Sequence, residues 1–180
     1  AAFEHLATLD PDRRAHTSLS VNLSGRTLSD ERLLPFVREL LDAMPLMPGE
    51  ICFEVTETTA VHNLTLTTRL MHELRALGFQ FALDDFGSGM SSLSYLKHLP
   101  VDYLKIDGVF IRNLLHDATD AAMVEAIARV AKVMGIRTVA EYVEDDATCR
   151  LLAELGVDYA QGHGVHEPEP LHGMAAAAAI

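Results

Sequence analysis

A barrel-type α/β fold is predicted by three features of the sequence. Short apolar runs alternate with helical stretches, the joints between them recur, and the repeat length is nearly constant. The strand candidates are Thr17–Asn22, Ile51–Thr56, Phe79–Asp84, Val101–Ile106, Arg137–Val143 and Val157–Gln161. Each is about five to seven residues of β-branched, aromatic or other apolar side chains. Between them apolar residues recur at helical spacing, as in Leu33/Val37/Leu40/Leu41/Met44, Leu70/Leu74/Leu77 and Met123/Ile127/Val130/Met134. Ser29 before Asp30 and Glu31 reads as a helix start, a cap followed by negative charge at the positive end of the dipole. Three helices are expected to close on glycine and turn straight into a strand, at Leu77-Gly78-Phe79, Met134-Gly135-Ile136 and Leu155-Gly156-Val157. Such joints build a parallel sheet of βα units.

Six strands fit a doubly wound open sheet or a (β/α)8 barrel. From Asn22 to Gln161 each unit takes about 28 residues, so eight would need about 220, inside the barrel range. Ala1–Leu9 reads as a helix with no strand before it. The expectation is therefore six βα units of a TIM-type barrel, with its first two strands missing. The alanine-rich tail Ala175–Ile180 carries no chemistry.

A chain of 180 residues, 49% hydrophobic and 22% charged, suits one globular domain and argues against disorder. Fourteen Lys and Arg against 26 Asp and Glu give a formal charge of −12. That excludes a broad basic face for the DNA or RNA backbone. An anionic substrate would have to be held by metal ions or a local cluster of cations. Cys52 and Cys149 are too few for a disulfide framework and suit a reducing compartment. No apolar run reaches the roughly 20 residues of a membrane span, and no signal peptide opens the chain. A cytoplasmic domain without membrane insertion is expected, free or as the cytoplasmic part of a membrane-tethered protein.

Polar residues stand where packing does not ask for them. Asn22, Asp84, Asp85 and Gln161 end strand runs, Glu141 follows Thr138-Val-Ala, and Glu54 and Lys105 lie inside runs. Side chains alternate along a strand, so Cys52 and Glu54 share one face, and Ile51, Phe53 and Val55 the other. The second set suits packing against helices, which aims Glu54 at the barrel interior. Helix capping accounts for Asp107 and Ser24, but not for Glu54, Lys105 or the tandem Asp84-Asp85. Carboxylates about 4 Å apart repel by about 4 kcal/mol at an effective dielectric near 20. Several at one rim call for hard divalent cations such as Mg²⁺ or Mn²⁺.

The remaining candidates read more plainly. His163-x-x-His166 reads as a pair of loop histidines rather than ligands, and His5, His72 and His98 as helix residues facing solvent. Cys52 reads as a small core residue. The glycine-rich run after Asp85 lacks the Gly-Lys-Ser/Thr of a P-loop. Lys105 admits a Schiff-base lysine of a barrel aldolase, with nothing else in the sequence to accompany it.

Together, Ser20-Val-Asn-Leu-Ser, Phe53-Glu-Val-Thr-Glu-Thr, Leu83-Asp-Asp-Phe-Gly-Ser-Gly-Met-Ser-Ser-Leu, Asp102-Tyr-Leu-Lys-Ile-Asp, Ala140-Glu-Tyr-Val-Glu and Gln161-Gly resemble the EAL family. These are cyclic-di-GMP phosphodiesterase domains, and the segments occur in family order. The resemblance implies a (β/α)8 barrel that opens cyclic di-GMP to linear pGpG with two Mg²⁺ or Mn²⁺ ions. It makes Asn22, Glu54 and Asp84 ligands of one metal, with Asp84 bridging to a second held also by Asp85 and Glu141. Lys105 would stand beside the attacking water and Gln161 would join that network. Glu57 would anchor the loop Phe86–Leu93, through which two copies would pair.

It further implies one domain over 1–180, starting downstream of the Glu-Ala-Leu motif and joined to sensory or GGDEF-type domains in the parent protein. The alternative function is a catalytically inactive cyclic-di-GMP receptor. Two positions depart from the family: Tyr142 stands where glycine is usual, near Glu141, and Met90 replaces a commoner aromatic.

Overall fold

Six parallel strands pair in sequence order: β1 (Leu19–Asn22), β2 (Ile51–Thr56), β3 (Gln80–Phe86), β4 (Tyr103–Ile106), β5 (Arg137–Ala140) and β6 (Tyr159–Ala160). The structure is a computed structural model and describes residues 2–44, 46–87 and 93–170. The sheet curls as an arc of a barrel, with helices on its outer face. Among the described residues no helix is long and apolar enough to cross a membrane. The tail Ala175–Ile180 and Met90 lie outside the described residues.

Alternation decides which face is which. Ser20, Cys52, Glu54, Ala82, Tyr103, Lys105, Val139 and Tyr159 line an interior groove of about 400 Å³. Phe53, Val55, Phe81, Leu83 and Leu104 face the helices and are buried. The Phe53 ring stacks on Phe79 at 4.9 Å and tilts against Phe81 at 5.7 Å. Burying side chains of this size contributes about 1.5–3 kcal/mol each. This outer layer fixes the sheet's register and hence where the interior residues emerge.

Helix Leu64–Arg75 buries Met71 and Leu74. The three expected glycine joints occur, with Gly78, Gly135 and Gly156 at φ +98°, +73° and +84°. Gly135 closes helix Ala118–Met134 in the left-handed conformation, donating its N–H to the freed carbonyls of Ala131 and Lys132.

Several boundaries differ from expectation. β5 ends at Ala140 and β6 at Ala160, so Glu141 and Gln161 stand just past strand ends, whereas β3 runs on through Asp85 and Phe86. Ser29 starts no helix; its hydroxyl donates to the Gly25 carbonyl at 3.0 Å and closes the turn Gly25–Leu28. The next helix begins at Leu33, and the Asp30 carboxylate accepts the Arg32 N–H before it. In Ala118–Met134 the buried stripe is Val124, Ile127, Ala128 and Ala131, while Met123 is exposed. Two alanines complete that stripe because small side chains let the helix lie close on β4 and β5. His98 falls in an exposed turn after helix Leu93–Leu96, two residues before Pro100, which disfavours helix. His5, on helix Ala2–Thr8, is half-buried rather than facing solvent.

Candidate metal centre

The parallel ladders bring residues distant in sequence to one end of the sheet. Asn22 pairs with Glu54 across β1 and β2. Asp84 lies two residues beyond Ala82, which pairs with Glu54 and Tyr103; Lys105 lies two beyond Tyr103. Glu141 and Gln161 lie two beyond Val139 and Tyr159, themselves a pair. Each step of two residues compensates the stagger between tilted strands. The result is a ring of polar side chains at the carboxyl rim.

Lys105 sits at its centre, almost fully buried. Its Nζ lies 3.0 Å from Glu54 Oε2, 2.8 Å from Asp84 Oδ1 and 2.7 Å from Glu141 Oε1. Burial works against the ammonium, but the contacts with Asp84, Glu141 and Glu54 outweigh it and raise its pKa above the usual lysine value. Lys105 is therefore a proton-holding cation at neutral pH. Burial pushes the Glu141 carboxyl up, as do Asp84 and Asp85, against the pull of Lys105.

The tandem aspartates cannot both face inward in a regular strand. The ladder shows how they do: Leu83 pairs with Leu104, but the next pair is Phe86 with Ile106. One extra residue is taken up by β3, a bulge, and Asp85 adopts φ +55° within it. Aspartate tolerates that left-handed conformation better than most residues. One carboxylate oxygen from each of Asp84, Asp85 and Glu141 then lies within 4.8 Å of the others. Burial, followed by Asp84 and Asp107, raises the Asp85 pKa.

These residues fit a hard divalent cation. The donor set is all carboxylate oxygen. Asp84 Oδ1, although close to the ammonium, is buried without a hydrogen-bond donor at a usable angle. The Lys105 ammonium is the positive charge that meets it, and a divalent ion would do the same for the oxygens of the Asp84, Asp85 and Glu141 cluster.

The other expected site residues divide. Asn22 is exposed at the end of β1, and Gln161 borders both the interior groove and a second groove beyond Glu141. Glu57, buried, opens helix Glu57–His62 and accepts the Gly87 N–H at 3.1 Å and the Tyr95 hydroxyl. It thus grips both flanks of the expected loop Phe86–Leu93, whose residues 88–92 lie outside the described residues. Tyr95 carries no sequence signal for this role, being separated from Glu57 by 38 positions.

Cys52 is buried and its thiol is pushed up to about 12 by burial and then Glu54, which makes it inert. His163 and His166 join no carboxylate cluster among the described residues. Asp107 and Ser24 cap the helices after them, accepting Val109 N–H at 2.9 Å and Thr27 N–H at 3.2 Å.

A model of the EAL domain matches residues 1–168. The chain belongs to the EAL domain family. The cyclic di-GMP phosphodiesterase PdeB of Shewanella oneidensis is 46% identical over 153 residues, 85% of this chain and 18% of that protein. The EAL domain thus spans about a fifth of the length of the relatives it matches. In structure it is similar to the PaMucR phosphodiesterase in complex with c-di-GMP, with a TM-score of 0.84, 37% identity and coverage of 94% and 68% of the two chains. Klebsiella pneumoniae BlrP1, solved as a manganese/cy-diGMP complex, superposes with a TM-score of 0.75 at 27% identity, over 88% of this chain and 46% of that one. The fold is accordingly TIM-barrel-like, as expected from the spacing of its units.

The departure at Tyr142 now has a backbone explanation. Its φ is +57°, a region glycine enters freely and a bulky residue rarely.

Proposed function

We propose that this EAL domain hydrolyses cyclic di-GMP to linear pGpG with two Mg²⁺ or Mn²⁺ ions. The observation that carries the reading is the Lys105 ammonium enclosed by Glu54, Asp84 and Glu141, with Asp84, Asp85 and Glu141 converging beside it. Fully ionised, these four carboxylates and one ammonium carry a formal −3, which favours two divalent ions over one. Asn22, Glu54 and Asp84 would hold one ion, and Asp84, Asp85 and Glu141 the other. When bound, the ions lower the pKa of a water and neutralise charge developing on the phosphate.

The chain's own residues have separate tasks. Lys105, whose ammonium contacts Glu54, Asp84 and Glu141, would orient the attacking water as a hydrogen-bond donor. Gln161, at the junction of the two grooves, supplies a further polar group to the same water. Glu57 holds the Gly87 backbone before the loop Phe86–Leu93 and the Tyr95 side chain after it, and we place the contact between two copies of the domain there. Sensory or GGDEF-type domains elsewhere in the parent protein would act through that contact, with the whole working in the cytoplasm.

The test is product analysis. The intact protein incubated with cyclic di-GMP and Mn²⁺ should yield pGpG by ³¹P NMR and chromatography, and none in EDTA. Tight binding with the cyclic dinucleotide recovered intact would instead identify a receptor.

A further inference from the structure

We propose that Tyr142 is a stacking shelf for a purine base of the cyclic dinucleotide, at the mouth of the metal centre; the inference rests on the phosphodiesterase reading above. Tyr142 follows Glu141 directly, so its position is tied to the carboxylate cluster. The residue is 55% exposed although its backbone sits at φ +57°, so burial does not offset that unfavourable conformation.

The ring is nevertheless held in place. Arg112 lies over it at 4.3 Å from the centroid, and the edge of the ring packs where a side chain on Gly108 would collide with it. Both braces come from the segment after β4. Tyr142 also lines a groove with Gln161, Gly162, His163 and His166 after β6 and with Glu141 beside it, and neither Arg112 nor Gly108 is part of that lining. The guanidinium therefore braces one π face from outside the groove and leaves the residue accessible to it. The groove's volume is about 340 Å³, within the range of small-molecule sites.

A flat, neutral π system is what such a place accepts. The groove carries Glu141 and Glu144, which repel a phosphate not met by metal, whereas a base offers no charge to repel. Base–aromatic stacking tolerates any base and needs only an open face fixed in orientation. With the phosphates at the carboxylate cluster, the adjoining base reaches Tyr142.

The experiment uses the intact protein that carries this chain, with Mn²⁺. A cyclic di-GMP analogue with 2-aminopurine in place of one guanine is mixed rapidly, and fluorescence quenching is read before turnover; KM and kcat are measured with cyclic di-GMP. Tyr142→Gly relieves the positive φ and so keeps the fold, and Tyr142→Leu keeps bulk without the π face. Both should lose the quench and raise KM about ten-fold, the size of one lost stack, with kcat within about two-fold. Tyr142→Phe should match the wild type in both readouts. A wild type that cleaves cyclic di-GMP while Tyr142→Gly shows the same quench and KM overturns the shelf and leaves the phosphodiesterase reading standing. A wild type that neither binds nor cleaves it overturns both.

Discussion

Asp84 and Asp85 are consecutive in one strand, yet their carboxylates share a cluster with Glu141 spanning less than 4.8 Å. Strand alternation alone would send Asp85 to the helix-packed face. The extra residue in β3 between Leu83 and Phe86, with Asp85 at φ +55°, turns it back to the rim. Glycine adopts that conformation without strain. Asp85→Gly should therefore melt no lower than the wild type, while Mn²⁺ affinity by calorimetry falls ten-fold or more, since even outer-shell changes cost about 10–100-fold. Unchanged Mn²⁺ affinity would remove Asp85 from the ligand set.

Among the described residues, Lys105 is the one cation paired with Glu54, Asp84 and Glu141. Removing it leaves three carboxylates crowded in a low-dielectric site. Lys105→Met should destabilise the metal-free protein by about 3–5 kcal/mol in denaturant titration. Added Mn²⁺ should recover more stability in this variant than in the wild type, because the ion takes over the ammonium's neutralising role. Equal Mn²⁺ stabilisation of both proteins would mean that the ion and Lys105 share no carboxylates.

Glu57 holds Gly87 and Tyr95 together from one buried carboxylate. Glu57→Ala leaves a backbone N–H and a phenol without their acceptor, at a cost of about 1–3 kcal/mol. Tyr95→Phe removes one of the bonds to Glu57 and should cost less. If the loop between them supports the metal centre, Mn²⁺ affinity falls in the same order, wild type, Tyr95→Phe, Glu57→Ala. Stability falling in that order with unchanged affinity would make Glu57 purely structural.

A buried carboxylate paired with a half-buried arginine gives the fold an acid-sensitive contact. The Glu50 carboxylate accepts from Arg14 through two bonds and from the Met47 N–H at 2.6 Å, and the Arg14 bond holds its pKa below the usual carboxylate value. A depressed pKa contributes stability that is present above the unfolded-state value, about 4.3, and is lost as pH falls through the folded value. Glu50→Gln should lower the melting temperature at neutral pH, with the gap to the wild type closing below about pH 4. A gap constant across that window would show that the pair contributes no pH-dependent stability.

Much of this architecture was legible in the sequence because periodicity reports burial. The Ile51–Thr56 run alternates so plainly that Glu54 could be aimed inward from the order of residues alone, and the structure lines the interior groove with it. The glycine joints were readable because few other residues close a helix left-handed. What stayed hidden depends on distant partners. Nothing local to Asp85 announces a bulge, which is defined only by the shorter register of β4. Nothing near Tyr95 points to Glu57. The Met123 misassignment has the same origin: hydropathy ranks methionine above alanine, but close packing on the sheet favours Ala128 and Ala131.

Metal-dependent cleavage of cyclic di-GMP by the centre that Asp84 helps to build is open to a direct turnover measurement. The intact protein and Asp84→Asn are compared for pGpG release from cyclic di-GMP in saturating Mn²⁺, with folding checked by circular dichroism. The wild type should turn over and Asp84→Asn should retain the fold with kcat reduced by several orders of magnitude. A folded Asp84→Asn protein with near-normal kcat would exclude Asp84 as a ligand that the reaction needs.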